Sequence, residues 1–578
     1  MKNKKIFLIA LIGLLTVSFS VFSLPAFRKP YKEYKLSCGQ AGGSLVISTT
    51  SGPKSFNPIV AKETSTTAIT GYIFEGLTRV DPLTLEVEPS LARSWEMLDE
   101  KTWVFHLRDD VFFNDGEKFT SRDVVFTFNQ LIYNPDIPSS SKDILTLEGK
   151  KIKVEALDDY RVKFTLPFSF APFLRALSHE ILPFHKYAKL VKQGKFPFSL
   201  GLDTKPEDIV GTGPFKISHY LAGERVVLER NPFYYKEDSC GGKLPYLDKI
   251  LITIVSDQNT ALLRFLEGQI DYYAIRPQDL SILGPQQEEG NFTNYNSGPS
   301  FGSNFVIFNQ TQGVNPNTGK PYVLPYKLKW FQDRNFRQAV SYAIDREKII
   351  RILMNNLGVP QYSPVSPANV AFYNEDIKKY PHNPQKAKDI LEDMGFSDRD
   401  EDGILEDKNN KKLEVSFLTN ANDTQRVQIA TLIKKDLESI GFKVYFLPID
   451  FNNLVSKLTA TYDWEMILIA LTGGIEPYFG KNVWSYTGGL HMWNRSGKPV
   501  DDYEVEIEEI FNKAARELEK NKRRELFGRW QEIVADELPL IYTVIPYSMY
   551  AVRNKFGNLY PTVYGGAFSE IEYIYIKD

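Results

Sequence analysis

Histidine and cysteine are scarce in this chain, six and two among 578 residues. Zinc-type centres take their ligands from those side chains, so a catalytic metal is not expected. His179 and His185 are six apart, whereas a zinc-binding helix needs histidines at i and i+4 to share one face. An excess of one charge is also missing, since 69 Lys and Arg against 72 Asp and Glu leave a net charge of −3. That excludes the basic surplus of a nucleic-acid surface. Beyond Leu24 no apolar run is long enough to span a bilayer. No repeat or low-complexity tract is present. Phosphate-loop chemistry is excluded as well, because Gly319-Lys320 lacks the preceding glycine and the following Ser or Thr. Gly298-Pro-Ser300-Phe-Gly302 has the letters of a hydrolase nucleophile elbow. That motif needs a helix after the serine, and Asn304–Phe308 reads as a strand, so an exported hydrolase is a distant alternative.

What remains is a chain with 43% hydrophobic and 24% charged residues. It is rich enough for a large core and too long for one ordinary domain. Residues 1–23 read as a secretory signal: Lys2, Lys4 and Lys5, an apolar run from Ile6 to Phe22, and a small residue, Ser23, at the cut. An uncleaved anchor over residues 6–24 is the alternative. The expected location is therefore periplasmic or extracytoplasmic. Cys38 follows Lys35-Leu-Ser37 and a charged stretch, which is not a lipidation context, so no lipoprotein is expected. In an oxidising compartment Cys38 and Cys240 read as a disulfide, with free buried thiols as the alternative.

Hydrophobic period marks α/β units. Ile250, Ile252 and Ile254 alternate on a strand, a helix follows over about 259–267 to Gly268, and 270–275 reads as the next strand. Leu413, Val415 and Phe417 open a second unit. Its helix carries Ile429, Leu432, Ile433, Leu437 and Ile440, Gly441 ends it, and Val444–Ile449 is a strand. Such units imply parallel sheet. Phe336, Ala339, Val340, Ala343 and Ile344 form a helical stripe, and one long amphipathic helix is expected over about 502–536, with Leu518 on its stripe. Asp398, Asp400, Asp402 and Gly403 have the spacing that opens a calcium loop, but Asn409 stands where a closing Glu belongs. A solvated acidic turn is the expected reading there, and no cofactor is expected.

A series of short motifs runs through the chain in a characteristic order. It begins with Phe74-Glu-Gly-Leu77, Leu91-Ala-Arg-Ser-Trp95, Trp103-Val-Phe-His-Leu-Arg108, Asn114-Asp-Gly116 and Asp123-Val-Val125. Gly211-Thr-Gly-Pro-Phe215, Arg230-Asn-Pro232, Gly268-Gln-Ile-Asp271 and the helix Arg337–Arg346 follow. Together these resemble the family 5 extracellular solute-binding proteins, which include dipeptide, oligopeptide and nickel binders of ABC importers. The resemblance runs from about Gly43 to Tyr564. It implies an α/β, two-lobed periplasmic-binding-protein-like fold of the large type II kind, without catalysis. Lobe one would span 40–275, including an inserted subdomain at 66–208. Lobe two would span 276–540, and 541–578 would return to lobe one. The lobes would close about a hinge on a small solute, most simply a peptide, and the closed monomer would be recognised by an importer permease.

In peptide-binding members the ligand lies extended and pairs its backbone with both lobes. The corresponding segments here are Gly52-Pro53-Lys54 and, before Pro477, Ala470-Leu471-Thr472-Gly473-Gly474. Oligopeptide members carry an aspartate for the peptide's α-ammonium where this chain has Gly473, so either Glu476 takes over that role or the solute lacks an ammonium. Trp484, Tyr486, His491 and Trp493 follow this loop and either offer rings for stacking on a solute or pack the core of the second lobe, Trp484 being the one taken as a site residue. Two further readings stand beside the peptide binder. One is a binder of a non-peptide solute such as an oligosaccharide, an opine-like metabolite or a metal chelate; the other is an exported sensor or peptide chaperone on the same fold.

Overall fold

The structure is a computed structural model that describes residues 33–61, 63–139, 141–315 and 318–577. The export signal read at residues 1–23 lies outside the described residues. No helix among the described residues is long and apolar enough to cross a membrane.

The protein has two α/β lobes. In the first, Ser44–Thr49 lies parallel to Lys249–Ile254, which pairs with Arg225–Arg230 and then with Phe215–Leu221. Ile250 and Ile252 point into its core. The helix Gln258–Leu266 follows, its first turn capped by Asp257, whose side chain accepts the Thr260 N–H. The next strand, Tyr272–Ala274, does not join the same sheet as Lys249–Ile254. It pairs with Val544–Arg553 instead, so this unit is not the parallel pair that its local pattern implies. Inserted into the first lobe is a four-stranded antiparallel sheet, Ala92–Asp99, Thr102–Leu107, Arg161–Thr165 and Lys153–Asp158.

The second lobe is built on five strands in the order Lys443–Ile449, Glu414–Asn420, Met466–Leu471, Ser303–Phe308 and Ile541–Tyr542. Here the parallel unit forms as the pattern predicts. The central strands are buried on both faces, as near-continuous apolar runs require. Phe305, Ile307, Ile467 and Ile469 face one core, while Val306, Phe308, Met466 and Leu468 face the other. The helix Arg334–Ala343 covers the latter with the predicted stripe. On the opposite face the stretch expected as one helix is two, Asp502–Arg516 and Lys520–Glu537. The break is made by Glu519, whose carboxylate caps the second helix by accepting the N–H groups of Asn521 and Lys522. Leu518, assigned to the stripe, lies in this break and is 39% exposed.

The strands that cross between the lobes are Phe292–Pro299 and Val544–Arg553, paired antiparallel. Residues 547–553 of the latter bond to first-lobe neighbours, and residues 544–546 bond to Gly358–Pro360 in the second lobe. Leu280, Leu283 and Phe292, assigned on sequence to the second lobe, share a core with Phe265 and Tyr273. Cys38 and Cys240 are disulfide-bonded.

Candidate functional site

The strand Met466–Leu471 runs into the loop Thr472–Gly474, and two glycines there have opposite surroundings. A Cβ on Gly473 would lie 1.7 Å from the Phe301 carbonyl oxygen. A Cβ on Gly474 would meet nothing within 4 Å. The close approach follows from pairing, since Ser303–Phe308 lies against this strand with Ser303 opposite Leu471. The aspartate of the oligopeptide pattern thus has no room at 473 on this backbone. Asn369 holds the loop from the other side, donating to the carbonyls of Ile475 at 2.8 Å and Gly474 at 3.4 Å.

Glu476 is 4% exposed. One oxygen accepts the Tyr478 N–H at 3.0 Å and so caps the short helix Pro477–Gly480. Both oxygens also receive the Arg523 guanidinium, Nη1 to Oε2 at 2.9 Å and Nη2 to Oε1. Arg523 in turn donates from Nε to the Ala514 carbonyl. Glu476 therefore does not stand free to receive a solute ammonium: its charge is matched inside the protein by a fork that fits a carboxylate in two places.

Around this loop lies a cavity of about 400 Å³. Phe301, Phe305, Leu471, Val483, Trp484 and Trp530 form much of its apolar wall, and Ser366, Asn369 and Asn482 its polar part. Two buried polar atoms on this wall have no hydrogen-bond partner among the described residues, Asn369 Oδ1 and Trp530 Nε1. One is an acceptor and the other a donor, and buried groups of either kind are costly to leave unpaired. An apolar cleft with few convergent polar atoms is the usual form of a small-solute site.

The other aromatics sort themselves by burial. Trp484 lines the cavity and packs edge-on against Trp530, ring centroids 5.0 Å apart. Trp493 and His491 are not cavity residues: both lie in the core and share Glu504. Trp493 Nε1 donates to Glu504 Oε1 at 2.5 Å and His491 Nε2 lies 3.1 Å from the same oxygen. Burial alone would raise the Glu504 carboxyl, but hydrogen bonds from His491, Trp493 and the Val500 N–H hold it below the usual range. Tyr486 is half-buried and outside the cavity lining.

Gly52, Pro53 and Lys54 are not brought into this cavity, whose lining residues all belong to 301–542. Pro53 is buried, and the Lys54 N–H is committed to Thr66 Oγ1 at 3.1 Å. The first lobe reaches the site by another route. The Ala171 N–H donates to the Ala515 carbonyl at 2.8 Å, Ser169 Oγ donates to the Arg516 carbonyl, and Phe170 packs on Tyr478 with ring centroids 5.2 Å apart. Ser300 lies between two strands, with its carbonyl accepting from Ser366 Oγ, so no nucleophile elbow forms. His179 and His185 have separate partners, Ser141 and Asp115. Local pattern does not single out Asn369, Phe301 or Trp530. The one signal near Asn369 is the run Ser363-Pro-Val-Ser-Pro367, which marks an irregular segment.

The model of the bacterial extracellular solute-binding proteins, family 5 middle, matches residues 86–489. A probable ABC transporter-binding protein of Deinococcus radiodurans is 29% identical over 573 residues, covering 93% of this chain and 92% of that one. The oligopeptide-binding protein AppA of Bacillus subtilis is 26% identical over 548 residues, covering 89% and 93%. The structure of that AppA in complex with a nonapeptide superposes with a TM-score of 0.74 at 23% identity, covering 94% of this chain and all of that one. The periplasmic binding protein MelB of Agrobacterium fabrum in complex with stachyose gives 0.75 at 20% identity, covering 94% and 86%. At those identities the structures speak for the fold alone.

Proposed function

We propose that this chain, which belongs to the bacterial extracellular solute-binding proteins of family 5, is the capture component of an ABC-type importer and closes its two lobes on an extended solute, foremost a peptide. The observation that carries this reading is the second-lobe cavity bordered by the loop Leu471–Gly474, with open space at Gly474. Leu471–Gly474 would pair with the peptide backbone as an added strand, and the open space at Gly474 admits a side chain. Gly52, Pro53 and Lys54 would approach from the first lobe on closure. With Glu476 spent on Arg523, the α-ammonium is not the anchor, and main-chain pairing carries the affinity.

The second reading is a non-peptide solute such as an oligosaccharide. The Trp484 and Trp530 rings favour it, because both form the wall on which a sugar face would stack. In either case the chain works without catalysis, as an exported monomer that meets its permease after closure. Native mass spectrometry of the protein purified from its own host discriminates the two. A set of short-peptide masses released on denaturation is expected; a single non-peptide mass overturns the peptide reading and establishes the other.

A further inference from the structure

The acidic loop between the helix Pro384–Asp393 and the strand Glu414–Asn420 lies outside the cleft. Carboxylate oxygens of Asp398, Asp400 and Glu406 all fall within 4.8 Å of one another. Glu406 stands at the ninth position of the calcium-loop spacing that starts at Asp398. It is only 3% exposed. One of its oxygens accepts the Arg399 N–H at 2.8 Å, while Oε1 has no hydrogen-bond partner and faces the cluster, 4.0 Å from Lys412 Nζ. A buried carboxylate oxygen turned towards other carboxylates is costly unless a cation compensates it.

The cation present is the Lys412 ammonium. It lies 2.9 Å from Asp400 Oδ2 and bonds Asp402 as well. One positive charge thus serves Asp400, Asp402 and Glu406. The turn is already shaped around this point. Gly403 adopts φ +86°, its N–H donates to Asp398 Oδ2, and the Ile404 N–H donates to Asp402 Oδ1. Asn409, in the closing position of the linear pattern, is exposed, and its backbone N–H bonds Asp407 Oδ1. Two acids of the loop are buried, Glu406 and Asp407; Asp407 Oδ1 accepts the Asn409 and Lys411 N–H groups, and Glu406 is the one that joins Asp398 and Asp400.

We propose that residues 398–406 form a calcium site in which the ion displaces the Lys412 ammonium and is held by Asp398, Asp400, Asp402 and Glu406. The donors are hard carboxylate oxygens on an irregular loop, which suits calcium better than magnesium with its demand for near-ideal octahedral geometry. The site is structural. The Leu405 N–H bonds the Gly441 carbonyl and the Leu413 N–H bonds the Leu405 carbonyl, so ordering the loop fixes the edge of the parallel unit.

The test is calorimetric titration of the EDTA-treated protein with calcium chloride, and with magnesium chloride, alongside thermal unfolding in each salt. One saturable calcium site and a raised melting temperature are expected, with a smaller response to magnesium. Lys412→Met removes the internal competitor and should tighten calcium binding by roughly ten-fold or more, whereas Asp400→Asn and Glu406→Gln should weaken it by a similar factor. Absence of saturable calcium binding in both the wild type and Lys412→Met overturns the proposal. So does calcium affinity that Asp400→Asn and Glu406→Gln leave unchanged, or an equal response to magnesium. Unaltered affinity in Lys412→Met overturns the displacement.

Discussion

Adjacent glycines with opposite surroundings make a direct test of the cleft. At Gly473 any side chain meets the Phe301 carbonyl at 1.7 Å, so the backbone itself has to move. Gly473→Asp, which restores the oligopeptide pattern, should cost about 1–3 kcal/mol in thermal or urea unfolding, the usual scale of overpacking. Gly474→Trp should leave the melting temperature unchanged and lower solute affinity by roughly ten-fold or more, because it fills open space where a solute would sit. Glu476→Gln removes one partner of a buried pair. It should destabilise by about 3 kcal/mol or more, with Arg523 left unmatched, and the loss should be the same with or without solute. A titration effect also belongs at this scale. Burial, opposed by Lys236 and reinforced by the neighbouring Glu572, pushes the Glu75 carboxyl from 4.5 up to about 7. Tyr234 and Tyr235 hydroxyls donate to it. Its stabilising contribution is complete below about 4.5, where folded and unfolded forms are both protonated, and is lost as pH rises towards 7. Unfolding free energies across pH 5–7 should therefore fall less steeply in Glu75→Gln than in the wild type, by an amount on the order of 2–3 kcal/mol.

Among the elements, legibility followed the length of the local signal. The parallel unit 414–449 is readable because two seven-residue strands and a fifteen-residue helix carry clean periods and Gly441 stops the helix. Tyr272–Ala274 is three residues long, and nothing local tells it to pair with a strand near the C-terminus. The break between the helices Asp502–Arg516 and Lys520–Glu537 is hidden by a hydrophobic stripe that resumes on the other side. The signal that was available is the Glu519 cap. Glu519→Ala should remove it at a cost of about 1 kcal/mol, measurable by urea unfolding. The same limit applies to the site. The loop 471–477 is marked in the sequence by its glycines and Glu476, but the partner that decides the role of Glu476, Arg523, comes 47 residues later on another element.

For the molecule as a whole, the lobes meet at the paired crossing strands and at the contact of Phe170 with Tyr478. Closure is an equilibrium, and contacts made only in the closed form shift it. The Phe170–Tyr478 contact is made while Gly52–Lys54 lie outside the cavity, so Phe170→Ala should enlarge the solute-free radius of gyration in small-angle scattering, and adding solute should reduce that radius in the wild type. The strand Val544–Arg553 also bears on the order of assembly. It lies between Tyr272–Ala274 and Phe292–Pro299 and carries the second-lobe strand Gly358–Pro360 at its other end. A ribosome or a secretion pore delivers it almost last. Until it arrives, the junction sheet has no centre, and pairing across such sequence distances is slow to form. The sheets built on Ser44–Thr49, on Ala92–Asp99 and on Glu414–Asn420 need no strand from this segment, so each lobe can acquire its own order first, and the late strand fixes how the two are joined.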